Sequence, residues 1–322
     1  MLKADAYGMG AVQVAKATED VVSAFGVVTL EEARKLKKSG IRKDILLCAC
    51  ACEELRSAIK LGAIVAIHNF EQVQTLRALV QKGVIDTNGT RIHIKVDSGM
   101  HRLGFDCDGA KNAVRMLKTS GFNVEGVYSH LRDRTLAQLE EFNRCACAVK
   151  DVYPNAKVHL ASTHSLANER LRFDAVRVGI GAYTGAMSVF SHVLESRRLK
   201  AGERVSYGNH SVTRDTNTAV VFGGYADGVD RENPSDVYID KKPCKVIGDV
   251  CMDMFVVDTG DTLARVGQQV TLLDDNCAET VARQRKTIEY CVYTSWKGRV
   301  KRCYNGQKTS EKNCRRKSCE DD

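Results

Sequence analysis

The sequence predicts an α/β fold: a closed (β/α)8 TIM barrel followed by a C-terminal mainly-β domain. Three observations predict it. Short apolar, β-branched runs recur at the spacing of βα units, and apolar residues recur at intervals of three and four between them. After about residue 190 the helical pattern gives way to short strand-like runs separated by Gly, Asp or Asn. A chain of 322 residues with 43% apolar content is long enough for two such domains.

The strands predicted for the barrel are a stub at Leu2–Lys3, then Ala24–Val28, Ile45–Cys48, Ile64–Ile67, Ile92–Val96, Val124–Ser129, Val158–Leu160 and Ala175–Ile180. Helices are expected over Leu30–Ser39, Glu53–Leu61, Phe70–Lys82, Ala110–Thr119 and Leu136–Lys150. Thr29 before Leu30-Glu31-Glu32 reads as an N-cap with acidic residues in the first turn. Eight strands alternating with helices favour a closed parallel barrel over an open sheet. Ala219–Phe222, Val237–Ile239, Lys245–Ile247, Phe255–Val257 and Val270–Leu273 form the β domain, with the boundary near Ser188–Gly202. The expected organisation is a barrel over 1–190 with a shortened first strand, a β domain over 191–305, and a basic, disordered tail over 306–322.

The net charge of +8 is uneven: Lys297–Asp322 holds nine Lys/Arg and four Asp/Glu, so +5 of it lies there. The run Lys312–Lys317 lacks apolar anchors and reads as solvated chain, which argues against nucleic acid as a partner. No run of about 18 apolar residues is present to span a membrane. The start shows no basic segment followed by an apolar one, so a cytoplasmic location is expected. The thirteen cysteines then read as reduced thiols. Cys48, Cys50 and Cys52, and Cys145 and Cys147, have Cys-x-Cys spacing but no zinc-type partners, so small buried thiols are preferred and no metal is expected.

In parallel barrels, chemistry sits where strands end, which directs attention to Lys3, Asp97, His130 and Arg177. In Lys3-Ala4-Asp5-Ala6-Tyr7-Gly8-Met9-Gly10, a lysine suits a Schiff base with an aldehyde cofactor. The phenol suits a phosphate, and the glycines let the backbone turn. Lys95 and Arg102 flank Asp97-Ser98-Gly99-Met100-His101, readable either as buried charges needing partners or as a basic surface loop. Arg177 precedes Val178-Gly179-Ile180-Gly181, where backbone amides suit a phosphate, and a salt-bridged strand end is an equal reading.

Together with Val205-Ser206-Tyr207-Gly208, Gly224-Tyr225-Ala226-Asp227-Gly228 and Val250-Cys251-Met252-Asp253, these motifs resemble, in order and spacing, the alanine racemase family of pyridoxal-phosphate enzymes. The resemblance runs from Leu2 to about Tyr304. It implies interconversion of L- and D-alanine with pyridoxal 5'-phosphate, a small amino-acid substrate, and a homodimer whose active sites borrow residues across the interface. It implies that Lys3 is the Schiff-base lysine and one acid/base group, and that Tyr207 from the other subunit is the second. It places Tyr7, Tyr290, Thr163, Gly179 and Ile180 at the phosphate and Arg177 at the pyridine nitrogen. Arg102 and Met252 fall at the substrate, with Lys95, His130 and Asp253 in support. Racemisation needs a proton removed from one face of the α-carbon and delivered to the other, which two such groups supply.

Relative to the family pattern, the first strand is reduced to Met1-Leu2, so Lys3 is expected to be loosely held. Ser162-Thr163 replaces Asn-Ser, Asp249 replaces an arginine, and Arg134-Thr135 replaces a stretch with an aspartate, for which Asp133 compensates. The alternatives are a racemase of another amino acid such as serine, or a non-catalytic cofactor-binding paralogue.

Overall fold

The computed structural model describes residues 1–132, 136–274 and 276–304. The expectations for Asp133, Arg134-Thr135 and the basic tail 306–322 lie outside them. Two compact units divide the chain, Met1–Ala186 and a second from Met187 onward.

In the first unit, β1 (Ala24–Val27), β2 (Asp44–Leu47), β3 (Ile64–Ile67), β4 (Arg91–Lys95), β5 (Asn123–Tyr128), β6 (Lys157–Ser162) and β7 (Ala175–Arg177) pair in chain order, all parallel. Helices Leu30–Lys38, Leu55–Lys60, Phe70–Gln81, Cys107–Thr119 and Leu136–Lys150 return the chain between them. Parallel strands covered on both faces need near-continuous apolar runs, and Val27, Leu47, Ile67, Ile94, Val127 and Leu160 are accordingly buried. The Thr29 cap is a full capping box: Glu32 N donates to Thr29 Oγ1 at 3.2 Å, and Thr29 N donates to the Glu32 carboxylate at 3.1 Å.

The barrel closes differently from expectation. Lys3 belongs to no strand, and the short Met1-Leu2 segment fills the gap between first and last strands. Leu2 N donates to Gly26 O of β1 at 2.7 Å, and Met1 N donates to Val178 O, just past β7, at 2.8 Å. Tyr183 Oη donates to Met1 O at 2.7 Å, and Leu2 is buried. Gly26 matters here: a Cβ at that position would collide with the Met1 sulfur. The expectation of a loosely held Lys3 is corrected, because three hydrogen bonds fix the residues before it.

In the second unit, β8 (Val189–Leu199), β9 (Thr216–Phe222), β10 (Val237–Ile239), β11 (Lys242–Ile247), β12 (Met254–Gly260) and β13 (Gln269–Leu273) form a closed antiparallel barrel in the order β10-β11-β12-β9-β8-β13. β8 is the strand that sequence reading assigned to the boundary. Only Val189 and Val193 are buried along it, and its second half carries exposed Glu195, Arg197 and Arg198, which masks it as linker. Two helices, Ala278–Gln284 and Glu289–Ser295, follow. Cys145 is buried and Cys147 exposed on helix Leu136–Lys150, so the Cys-x-Cys spacing does not place both thiols on one face. Among the described residues no helix is long and apolar enough to cross a membrane.

Candidate functional site

The first unit gathers most of the residues singled out from sequence at the C-terminal ends of its strands. Lys3 opens a tight turn in which Ala4, Asp5, Ala6 and Tyr7 all take left-handed backbone angles, with φ of 52° to 56°. For residues bearing a Cβ this conformation costs about 1–2 kcal/mol each, so the surroundings must hold it. The neighbouring helix Leu30–Lys38 does so. Glu32 accepts from Ala4 N at 2.7 Å while also capping its own helix, and Asp5 pairs with Lys35 at 2.8 Å and accepts from Ala11 N at 3.0 Å. Glu32→Ala is therefore expected to lower stability by about 1–2 kcal/mol through the lost cap. It should also loosen the turn that carries Lys3; denaturation and amide exchange at Gly8 on one preparation check both.

Tyr7 leaves this turn towards the loop after β7. A Cβ built on Gly179 would stand 2.6 Å from Tyr7 Oη, so only glycine admits the phenol there. The amides of Gly179 and Gly181 converge on Thr163 Oγ1 at 2.9 and 3.2 Å, and a Cβ on Gly181 would meet the Thr163 methyl at 2.5 Å. The Tyr7 phenol and the Thr163 hydroxyl, the latter held by two glycine amides, form a small polar cradle. Tyr183 backs it, its ring centroid 5.1 Å from that of Tyr7.

Arg177, at the end of β7, carries five N–H donors and no acceptor. Four are engaged: Nη1 with His159 Nδ1 and His159 O, both at 2.8 Å, and Nη2 with Ser129 O at 2.5 Å and Leu160 O at 3.1 Å. The fifth, Nε–H, has no acceptor among the described residues. The guanidinium carbon lies 5.0 Å from the Tyr128 ring centroid, and Tyr128 stacks on His159 at 4.8 Å. Tyr128, Ser129, His159 and Tyr183 are site residues that sequence reading missed. For Tyr128 and Ser129 the signal was a polar or aromatic residue at the end of strand β5; His159 inside β6 and Tyr183 in the loop after β7 carried none.

Lys95 is buried and donates to Val96 O at 2.9 Å, so the buried reading holds for it, whereas Arg102 is exposed. Burial, then the charge of Arg177, lowers the Lys95 ammonium to about 8. His130 is depressed to about 4, first by burial and then by Arg177, Arg102, Lys95 and Lys3. Four cations within range of one imidazole describe a strongly electropositive hollow suited to an anionic ligand.

Burial likewise lowers His93 to about 4 and His159 well below the ordinary value. The unfolded chain takes up protons at His93 and His130 near pH 6.5 while the folded chain refuses them until about pH 4. Each group's contribution is thus complete above pH 6.5 and lost as pH falls through that window. Each contributes up to about 1.4 kcal/mol per pH unit. Denaturant melts between pH 4 and 7 should show this slope, flattened in His130→Asn.

In the second unit three motifs converge. Ser206, at φ 59°, donates from Oγ to Asp249 O at 2.6 Å and presents Tyr207, which is 67% exposed. Tyr225 N and Ala226 N donate to Cys251 O and Met252 O at 3.1 and 3.2 Å, with Gly224 packed against those same carbonyls. Arg299 bridges Asp227 at 3.1 Å and Asp253 at 2.7 Å. Asp249 is offset by Arg231 at 3.6 Å. Met252 is exposed beside Tyr207's loop, and Tyr290 sits in helix Glu289–Ser295, its phenol raised by burial.

Comparison with known proteins matches the family model "Alanine racemase, N-terminal domain" over residues 1–186 and "Alanine racemase, C-terminal domain" over 186–304. Alanine racemase of Fusobacterium nucleatum is 31% identical over 336 residues, covering 94% of this chain and 91% of the relative. That of Thermodesulfovibrio yellowstonii is 32% identical, covering 94% and 88%. Among solved structures, alanine racemase of Clostridium difficile 630 superposes with a TM-score of 0.85 at 27% identity, covering 94% and 87% of the two chains. The biosynthetic enzyme of Pseudomonas aeruginosa does so with 0.82 at 28%, covering 94% and 90%.

Proposed function

The chain belongs to the alanine racemase family, and on that premise we propose that it interconverts L- and D-alanine with pyridoxal 5'-phosphate, using Lys3 and Tyr207 on opposite faces of the substrate. The observation that carries the reading is the pairing of a polar cradle (Tyr7, Thr163, Gly179) with the Nε–H of Arg177, unengaged among the described residues, in one electropositive hollow beside Lys3.

The residues present fit this cofactor. Tyr7, Thr163 and the Gly179–Ile180 backbone would hold the phosphate, Tyr290 would add a second phenol, and Arg177 would donate Nε–H to the ring nitrogen. When bound, pyridoxal phosphate supplies an aldehyde for the lysine amine and a conjugated ring that accepts the electrons left on the α-carbon. An arginine does not give up its proton, so it holds the ring nitrogen as an acceptor and limits side reactions. Lys3, on one face, takes or returns the α-proton at Nζ; Tyr207 does the same at Oη on the other. The positive field of Arg102 and Lys95 draws in the substrate carboxylate. His130 stays neutral beside them, and Asp253, held by Arg299, steadies the Met252 loop at the substrate.

A homodimer completes the site in this reading, the partner subunit contributing the Tyr207 and Met252 loops. The exposure of both side chains on one loop cluster supports it. The relatives near 30% identity are named for alanine, which does not favour serine or a non-catalytic role. Free alanine and reducing conditions suited to the cysteines make the cytoplasm the expected location.

The test is loss of α-deuterium from L- and D-alanine by the purified chain with pyridoxal phosphate, alongside a near-ultraviolet scan. A cofactor band with exchange from both enantiomers is expected. Exchange from neither, with the band present, would defeat the racemase reading.

A further inference from the structure

Beyond Arg177 the hydrogen bonding continues inward, through two imidazoles. We propose that His93 is a positioning residue: acting through His159, it fixes the tautomer that lets Arg177 hold its guanidinium towards the cofactor ring nitrogen. The inference rests on the assignment of Arg177 made above.

The direction of the chain follows from elementary chemistry. Arginine only donates, so His159 Nδ1, 2.8 Å from Nη1, is an acceptor. A neutral imidazole has one donor and one acceptor, so the His159 proton sits on Nε2, which faces His93 Nδ1 at 3.0 Å. His93 therefore accepts at Nδ1 and carries its own proton on Nε2. Arg177 favours this tautomer from one side and His93 from the other: were His93 unable to accept, the buried Nε2–H of His159 would lose its partner and the preference would weaken. The alternative tautomer would turn an N–H against the guanidinium, leaving two donors face to face.

Both rings must be neutral, and the burial that depresses their proton affinity keeps them so. Glu125 attracts a proton to His93, while Arg91, Lys157 and Arg177 repel one. The barrel is also shaped for this ring. His93 on β4 is paired with Gly126 on β5, where a Cβ would stand 2.8 Å from the imidazole. That φ is unexceptional, so glycine is required for space alone. Tyr128 stacks on His159 at 4.8 Å with 12° between planes, and its ring also faces the Arg177 guanidinium carbon at 5.0 Å.

The test uses the full chain labelled with 15N-histidine, free of cofactor, in wild type, His93→Leu and His93→Asn. Asparagine keeps an acceptor near the Nδ1 position; leucine removes it. Wild type should show His159 protonated on Nε2, His93→Leu should mix the two forms, and His93→Asn should restore the wild-type pattern. Affinity for pyridoxal phosphate should fall about tenfold in His93→Leu. Affinity for its 1-deaza analogue, which lacks the ring nitrogen, should not change. An unaltered His159 tautomer in His93→Leu overturns the relay. A shifted tautomer with equal losses for both ligands overturns the ring-nitrogen assignment, and the inference with it, so the two failures are told apart.

Discussion

Lys3→Ala is expected to abolish interconversion of L- and D-alanine, a loss of at least about ten-thousand-fold, since one residue supplies both the cofactor's attachment and an acid/base group. The fold should survive. The left-handed turn is held by Glu32 and Asp5, and the preceding residues by Gly26, Val178 and Tyr183, none through the lysine side chain. The recorded contact of the Lys3 ammonium is with the Tyr7 ring, 5.9 Å from its centroid, worth about 0.5–1 kcal/mol where solvent reaches it. Exchange of α-deuterium from each enantiomer, with a thermal melt of the same sample, checks the claim. Residual exchange above a hundredth of wild type would remove Lys3 from its role.

Tyr207→Phe should cost about a hundred- to ten-thousand-fold in racemisation, the range for one positioned acid/base group. The loss should be one-sided. With Lys3 intact, proton removal from the enantiomer it faces continues, so deuterium washes out of one form of alanine and not the other. Stability should move by less than about 0.5 kcal/mol, because the side chain is exposed and the turn at Ser206 is held by its own hydroxyl. Equal loss from both enantiomers would mean that the phenol positions substrate without moving protons.

The barrel was legible because its strands are apolar on both faces and its helices announce themselves by caps such as Thr29. β8 was not, since it trades inward Val189 and Val193 against outward charges over a long stretch that composition marks as linker. At the site, motifs marked Lys3, Tyr7, Thr163 and Arg177, but a left-handed turn over Ala4–Tyr7 has no signature: neither alanine nor aspartate advertises a positive φ. That geometry is imposed by contacts from helix Leu30–Lys38. His159 and His93 were hidden for the opposite reason, as polar residues among others on strands β6 and β4, where only three-dimensional pairing shows that each serves the next.

The contacts fixing Met1 reach Val178 and Tyr183, 177 and 182 positions along the chain. Closing a loop of that length costs about 4–5 kcal/mol of entropy, repaid only once the seven strands between are paired. The left-handed turn that begins at Lys3 leans on the nearby helix Leu30–Lys38, but Met1, two residues before the lysine, is fixed only by the closing contacts. Chemical competence is thus a property of the finished barrel: a partly assembled chain carries the lysine but does not present it, and amide exchange at Leu2 and Gly8 would report that last event of folding.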